Sequence, residues 1–196
     1  MGALLAVVSL LGGVNAFLLR IGRAIGVVAV AFMVVAILVQ VFFRYVLNNA
    51  LPWPDEASRF CMLWSAGLMA PTAMRASGFV AIDMVSHLLP TKLAQLLQVL
   101  LLSLSLLVLV VAFRIGWSEV TGFGGKFATA SLYIPTSFDF SQWMRVPRSW
   151  MMSSLLVGIG LLVLVNVELV LRSIVQMLGG KDRLPVIEGE EMAGAE

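Results

Sequence analysis

The chain has 196 residues, of which 60% are hydrophobic and 12% charged, and its mean hydropathy is +0.99. A soluble domain is about 45–50% apolar and about 25% charged, so this composition excludes a soluble globular protein and a disordered chain. Thirteen Lys/Arg against 11 Asp/Glu form no basic patch and exclude a nucleic-acid binder, while one cysteine (Cys61) and one histidine (His87) exclude a disulfide framework, a multi-cysteine metal site and a bis-histidine haem. The remaining class is an all-α integral membrane protein without a cofactor.

Residues 1–19 carry no charge, yet no positive segment precedes them and no small-residue cleavage site follows, so they are not read as a secretory signal. Gly12, Gly13 and Asn15 weaken the apolar run, and a fifth span here would force Arg20 and Arg23 into a very tight hairpin. Residues 1–23 are therefore expected to form an interfacial or lead-in helix. A span needs roughly 20 apolar residues. Charge-free stretches bracketed by charges predict four spans, at about 24–43, 58–76, 93–114 and 149–171, within a membrane domain covering 24–175. The second is the shortest, uncharged only from Phe60 to Met74, and needs Arg59 and Arg75 to snorkel or the bilayer to thin locally. Pro71 predicts a kink in it, and Ala66, Gly67 and Ala70 offer a small-residue surface for close helix contact.

Between the second and third spans, Phe79, Ile82, Val85 and Leu89 approximate one apolar helical face, and Asp83 and His87 lie on the other. A solvated polar face is the preferred reading of that pair over a catalytic dyad. The connection from Arg114 to Arg148 is long for a helical protein. Gly122, Gly124 and Gly125 break it, and the apolar run from Leu132 to Pro135, with Phe138, Phe140 and Trp143, predicts an ordered, packed loop. Glu168 and Arg172, spaced i,i+4, suit an ion pair at the rim of the fourth span; an ion-handling carboxylate is the alternative. Residues 176–196, rich in glutamate, are expected to be a flexible cytoplasmic tail.

Lys/Arg counting puts seven cations on one side and six on the other, which leans toward cytoplasmic termini. The aromatic residues separate more sharply: with four spans, every Trp and Tyr falls at one membrane face. That face is either a lopsided anchoring belt or also a docking surface. No phosphate loop, nucleophile elbow or metal-binding helix motif is present, and no ionisable residue falls near the middle of a predicted span. A carrier acting alone normally places such groups or broken helices at the midplane. The chain is accordingly read as a non-enzymatic accessory membrane subunit, with a stand-alone small carrier or channel as the alternative and a haem-bearing redox subunit as the weakest reading.

The run Arg44-Tyr45-Val46-Leu47-Asn48, then Leu51-Pro52-Trp53-Pro54-Asp55-Glu56-Ala57-Ser58-Arg59, is distinctive, as is its spacing to Trp64, Arg75, Gly78 and Ile82-Asp83. This pattern resembles the DctQ-type small permease subunit of tripartite ATP-independent periplasmic (TRAP) transporters. The likeness covers roughly residues 20–175 and takes in Tyr133-Ile134-Pro135 and Val146-Pro147; Phe79 and Pro71 depart from it. The resemblance implies a multi-pass protein of the bacterial inner membrane with both termini cytoplasmic. It implies two protein partners, a large TRAP permease subunit that holds the substrate and sodium sites and a periplasmic solute receptor that delivers an organic anion, typically a carboxylate. The small subunit then scaffolds the large one in membrane lipid. By position, Arg44, Glu56, Arg59, Arg75 and Asp83 are candidate subunit-contact or structural polar residues, with local helix capping as the simpler alternative. Trp117, Tyr133, Phe138 and Trp143 are candidates for the periplasmic docking face.

Overall fold

A computed structural model describes residues 2–77, 90–135 and 143–179. Four long helices dominate them: α1 (Gly2–Tyr45), α2 (Trp53–Ser77), α3 (Thr91–Thr121) and α4 (Arg148–Met177). Between α3 and α4 lie a single 3-10 turn (Phe123–Lys126) and two short strands, β1 (Ala128–Pro135) and β2 (Trp143–Pro147). The strands pair antiparallel, Tyr133 opposite Arg145 and Pro135 opposite Trp143, with an irregularity between Ala128 and Tyr133.

Three of the helices are long and apolar enough to cross a membrane: Leu4–Tyr45, Lys92–Thr121 and Arg148–Met177. Their apolar surface is mostly turned outward. Only 6% of the most apolar window of α3 is buried within the chain, and 17% of that of α1. Water would make such exposure prohibitively unfavourable, at about 25 cal/mol per Å² of apolar surface, so these faces meet lipid or protein. The 25 residues of α2 are enough for a span by length. Its polarity sets it apart, because Asp55, Glu56 and Arg59 crowd its first turns and Arg75 its last.

α1 is unbroken for 44 residues, through Gly12, Gly13, Arg20 and Arg23, as a helix leading into the first span would be. At about 1.5 Å per residue it is roughly twice as long as the hydrocarbon core is thick. α3 differs from the sequence expectation: it continues past Arg114 to Thr121, and the remaining connection to α4 carries the two paired strands, the only strands among the described residues. The expected amphipathic segment with Asp83 and His87, and the tail from residue 180 on, lie outside the described residues.

Helix ends follow local chemistry. Asn48 takes a left-handed φ of 49°, a conformation that asparagine tolerates better than most residues, and turns the chain out of α1. Gly179 does the same after α4 at φ 80°, its amide donating to the Gln176 carbonyl.

The chain divides into two compact units. One draws on Met1–Ile21, Ala70–Ala112 and Ile159–Glu196; the other on Gly22–Met69 and Phe113–Gly158. In the second unit, α2 and α4 meet at Gly67 and Gly158. A Cβ on Gly67 would sit 2.5 Å from the Ser154 carbonyl oxygen, and one on Gly158 would sit 2.7 Å from that of Gly67. Pro71 has no N–H to offer the carbonyl four residues back, which is Gly67. The freed oxygen lies on the side where α4 packs against α2 at Gly158.

Candidate functional site

The first unit contains a buried charge cluster built from three helices. Glu168 on α4 is fully buried. Its Oε2 accepts hydrogen bonds from Asn15 Nδ2 at 2.8 Å and Arg75 Nε at 3.1 Å. Its Oε1 accepts from Arg75 Nη2 at 3.0 Å and Arg172 Nε at 2.9 Å. Arg75 Nη2 also donates to the Gly12 carbonyl at 3.0 Å, and Asn15 Nδ2 to that of Leu164 at 3.3 Å. Position 12 is tightly packed, since a Cβ there would lie 3.2 Å from Glu168 Oε1. The i,i+4 pair of Glu168 with Arg172 is present at 2.9 Å, but it is one edge of a larger network that no helix contains alone. A carboxylate that takes four charge-assisted or amide donors from three helices ties those helices together. A second polar contact between helices in this unit joins Asn166 Nδ2 on α4 to Ser105 Oγ on α3 at 3.0 Å.

The second unit contains a clamp between α2 and the hairpin. Glu56, in the first turn of α2, accepts hydrogen bonds from the Ala130 and Ser131 amides and, at 2.6 Å, from Ser131 Oγ. These two residues lie within the register irregularity of β1, so the carboxylate occupies backbone donors that the ladder leaves over. Ser131 Oγ also contacts the Pro52 carbonyl at 2.8 Å. Partial burial raises the Glu56 pKa, but the hydrogen bonds from the Ser131 side chain and the Ser131 and Ala130 amides outweigh it and hold the carboxyl below its ordinary value. On the other side of the strand pair, Thr129 Oγ1 donates to the Val146 carbonyl at 2.8 Å.

Beside this clamp a groove of about 500 Å³ runs between the start of α2 and the hairpin, lined by Pro52, Trp53, Ser131, Leu132, Tyr133 and Trp143. Arg145 packs on one lining residue, with Nε donating to Tyr133 Oη at 2.8 Å and the guanidinium 5.2 Å from that ring's centre.

The sequence candidates separate accordingly. Glu56 and Arg75 engage partners within this chain, in the clamp and the buried cluster respectively. Arg44 is exposed, 5.9 Å from the Tyr45 ring centre, and Arg59 is exposed on α2. Tyr133 and Trp143 come together in the groove, whereas Trp117 is exposed on α3 with its ring against Phe113. Asp83 and Phe138 lie outside the described residues. Sequence reasoning missed Gly12, Asn15 and Ser131. The first two carried a signal, a glycine and an amide three residues apart in an otherwise apolar run, which marks a close and polar helix contact. No group of three or more potential metal ligands occurs among the described residues.

Long outward-facing apolar helices with fixed internal polar braces define an α-helical membrane protein. Residues 33–176 match the family model described as "Tripartite ATP-independent periplasmic transporters, DctQ component". The match covers most of the chain, and the chain belongs to that family, the small permease component of a bacterial TRAP transporter. No curated protein and no solved structure matches it.

Proposed function

We propose that this chain scaffolds a large permease subunit in the inner membrane, for sodium-coupled, receptor-dependent uptake of an organic anion such as a carboxylate. Membership of the DctQ family is the observation that carries this reading. Its residues support a static role. Glu168, Arg75 and Arg172 are tied to one another, and Glu56 is tied to the hairpin, so the engaged charges brace this chain. The mostly unburied faces of α1 and α3 offer apolar area to the large subunit and to lipid.

In this reading α2 is the remaining crossing. Its polar side chains are accommodated by protein contacts, and four crossings leave both termini in the cytoplasm. Arg44, Arg59 and Asp83 are then the subunit-contact residues, and Trp117, Tyr133, Phe138 and Trp143 belong to the periplasmic face.

The test is co-expression with the large permease subunit encoded beside it. The two chains should co-elute after solubilisation, and vesicles holding both, supplied with the receptor, should take up substrate on a sodium gradient. Sodium-driven uptake by vesicles containing this chain alone would establish a stand-alone carrier instead.

A further inference from the structure

The groove beside the hairpin has a chemistry that the scaffold role does not use. Its walls are the Trp53, Tyr133 and Trp143 rings with Leu132 and Pro52, and its volume of about 500 Å³ falls in the range of small-ligand sites, about 300–1,000 Å³. Tyr133 is 43% exposed and Trp143 55%, so the rings line an open slot. Tyr133 and Arg145 are register partners, as are Pro135 and Trp143, so Tyr133, Trp143 and Arg145 share one face of the hairpin. Arg145 spends its Nε on Tyr133 Oη, and among the described residues no other hydrogen bond reaches its guanidinium. Both Nη groups are thus directed by a fixed aromatic partner and remain able to donate.

The charge around the groove is mixed: Asp55 is exposed on α2 and accepts from Gln40 Nε2 at 3.4 Å, while the cation held against a groove wall is Arg145, 5.2 Å from the Tyr133 ring centre. Lys126, Arg145 and Arg148 are exposed on the hairpin and its flanks, and Arg59 is exposed on α2. Glu56, the carboxylate that touches the hairpin, already accepts from the Ala130 and Ser131 amides. An exposed cation packed on the Tyr133 wall of an apolar, aromatic slot matches a ligand with an anionic head and a hydrocarbon tail. Tryptophan and tyrosine favour the headgroup level of a bilayer, where such ligands are concentrated.

We propose that this groove is a binding site for an anionic phospholipid, with the phosphate on Arg145 and the start of an acyl chain between Trp53, Tyr133 and Trp143. The hairpin then holds a specific lipid at the protein surface. The site requires that the chain be membrane-embedded but not that the scaffold reading be correct. Transport is not its readout, so failure of either proposal leaves the other standing.

The experiment is tryptophan quenching by brominated lipid, on the purified full chain both alone and with its membrane partner. Brominated phosphatidylglycerol should reach half-quenching at about fivefold lower concentration than brominated phosphatidylcholine, the effect of one basic side chain near an anionic membrane surface. Arg145→Gln should remove the difference and Arg145→Lys should retain most of it, while Trp143→Phe should lower the quenching amplitude. In the unaltered protein, high salt should compress the preference, which tests the charge without any substitution. Equal quenching by the two lipids, a preference that survives Arg145→Gln or high salt, or displacement by inorganic phosphate would each overturn the proposal. So would a Trp143 that no lipid reaches in the assembled protein, which would make the groove a protein contact.

Discussion

Arg75 and Glu168 lie 93 positions apart in the chain and form a two-point ion pair, with Nε and Nη2 of the arginine each donating to a different carboxylate oxygen. Position 75 closes the second hydrophobic stretch and position 168 nearly closes the fourth, so the pair fastens the ends of α2 and α4. Asn15 and the Gly12 carbonyl add α1 to the same knot.

Removing the carboxylate should therefore cost more than removing one salt bridge. Glu168→Ala leaves two buried guanidinium groups without their shared anion, and breaking a buried pair from one side costs about 3–5 kcal/mol. A thermal melt of the purified protein should show a large loss. The double variant Glu168→Leu with Arg75→Met should be less destabilised than additivity of the singles predicts, because replacing a buried pair by apolar side chains is often close to neutral. Strict additivity would mean that the two groups do not interact.

The crossing of α2 and α4 makes a steric prediction. Gly67→Ala and Gly158→Ala each drive a methyl into a neighbouring backbone at under 3 Å, and both should lose about 1–3 kcal/mol. Gly13→Ala is the control. Nothing lies within 4 Å of its added carbon, so the gain in helix propensity, up to about 1 kcal/mol, should leave the protein unharmed or slightly stabilised.

The Glu56 clamp predicts a dependence on pH. The carboxyl is held below its ordinary value of 4.5 in the folded protein. A depressed carboxylate contributes its full stabilisation above the unfolded value and loses it as pH falls through the folded one. Acidification below about 4.5 should therefore loosen the hairpin, seen as increased protease cleavage in β1 and β2. Glu56→Gln should already be loosened at neutral pH and should show a flatter response to acid. A hairpin equally protected in both proteins would exclude the clamp.

The contact of Asn166 with Ser105 should be modest. Hydrogen bonds between membrane helices average about 0.6 kcal/mol in one well-measured case. Ser105→Ala should cost about that much, and well under the loss from Glu168→Ala, in the same melting assay.

Composition and motif spacing were enough to assign the membrane environment and the family. Sixty per cent apolar residues with few charges left only a membrane, and the run from Arg44 to Arg59 with Arg75 downstream carried the DctQ resemblance that the family match bears out. The sequence also located the long apolar helices, because burial in lipid is written in local composition, residue by residue. It could not say that Arg75 reaches Glu168, that Asn15 joins them, or that Glu56 seizes two amides of a distant strand. Those partners are chosen by which helix faces meet, and within a membrane that choice rests on small residues and scattered polar groups rather than on a hydrophobic stripe. The hairpin escaped for a related reason: its strands are short, and its docking depends on donors exposed by a register irregularity that exists only once the strands have paired.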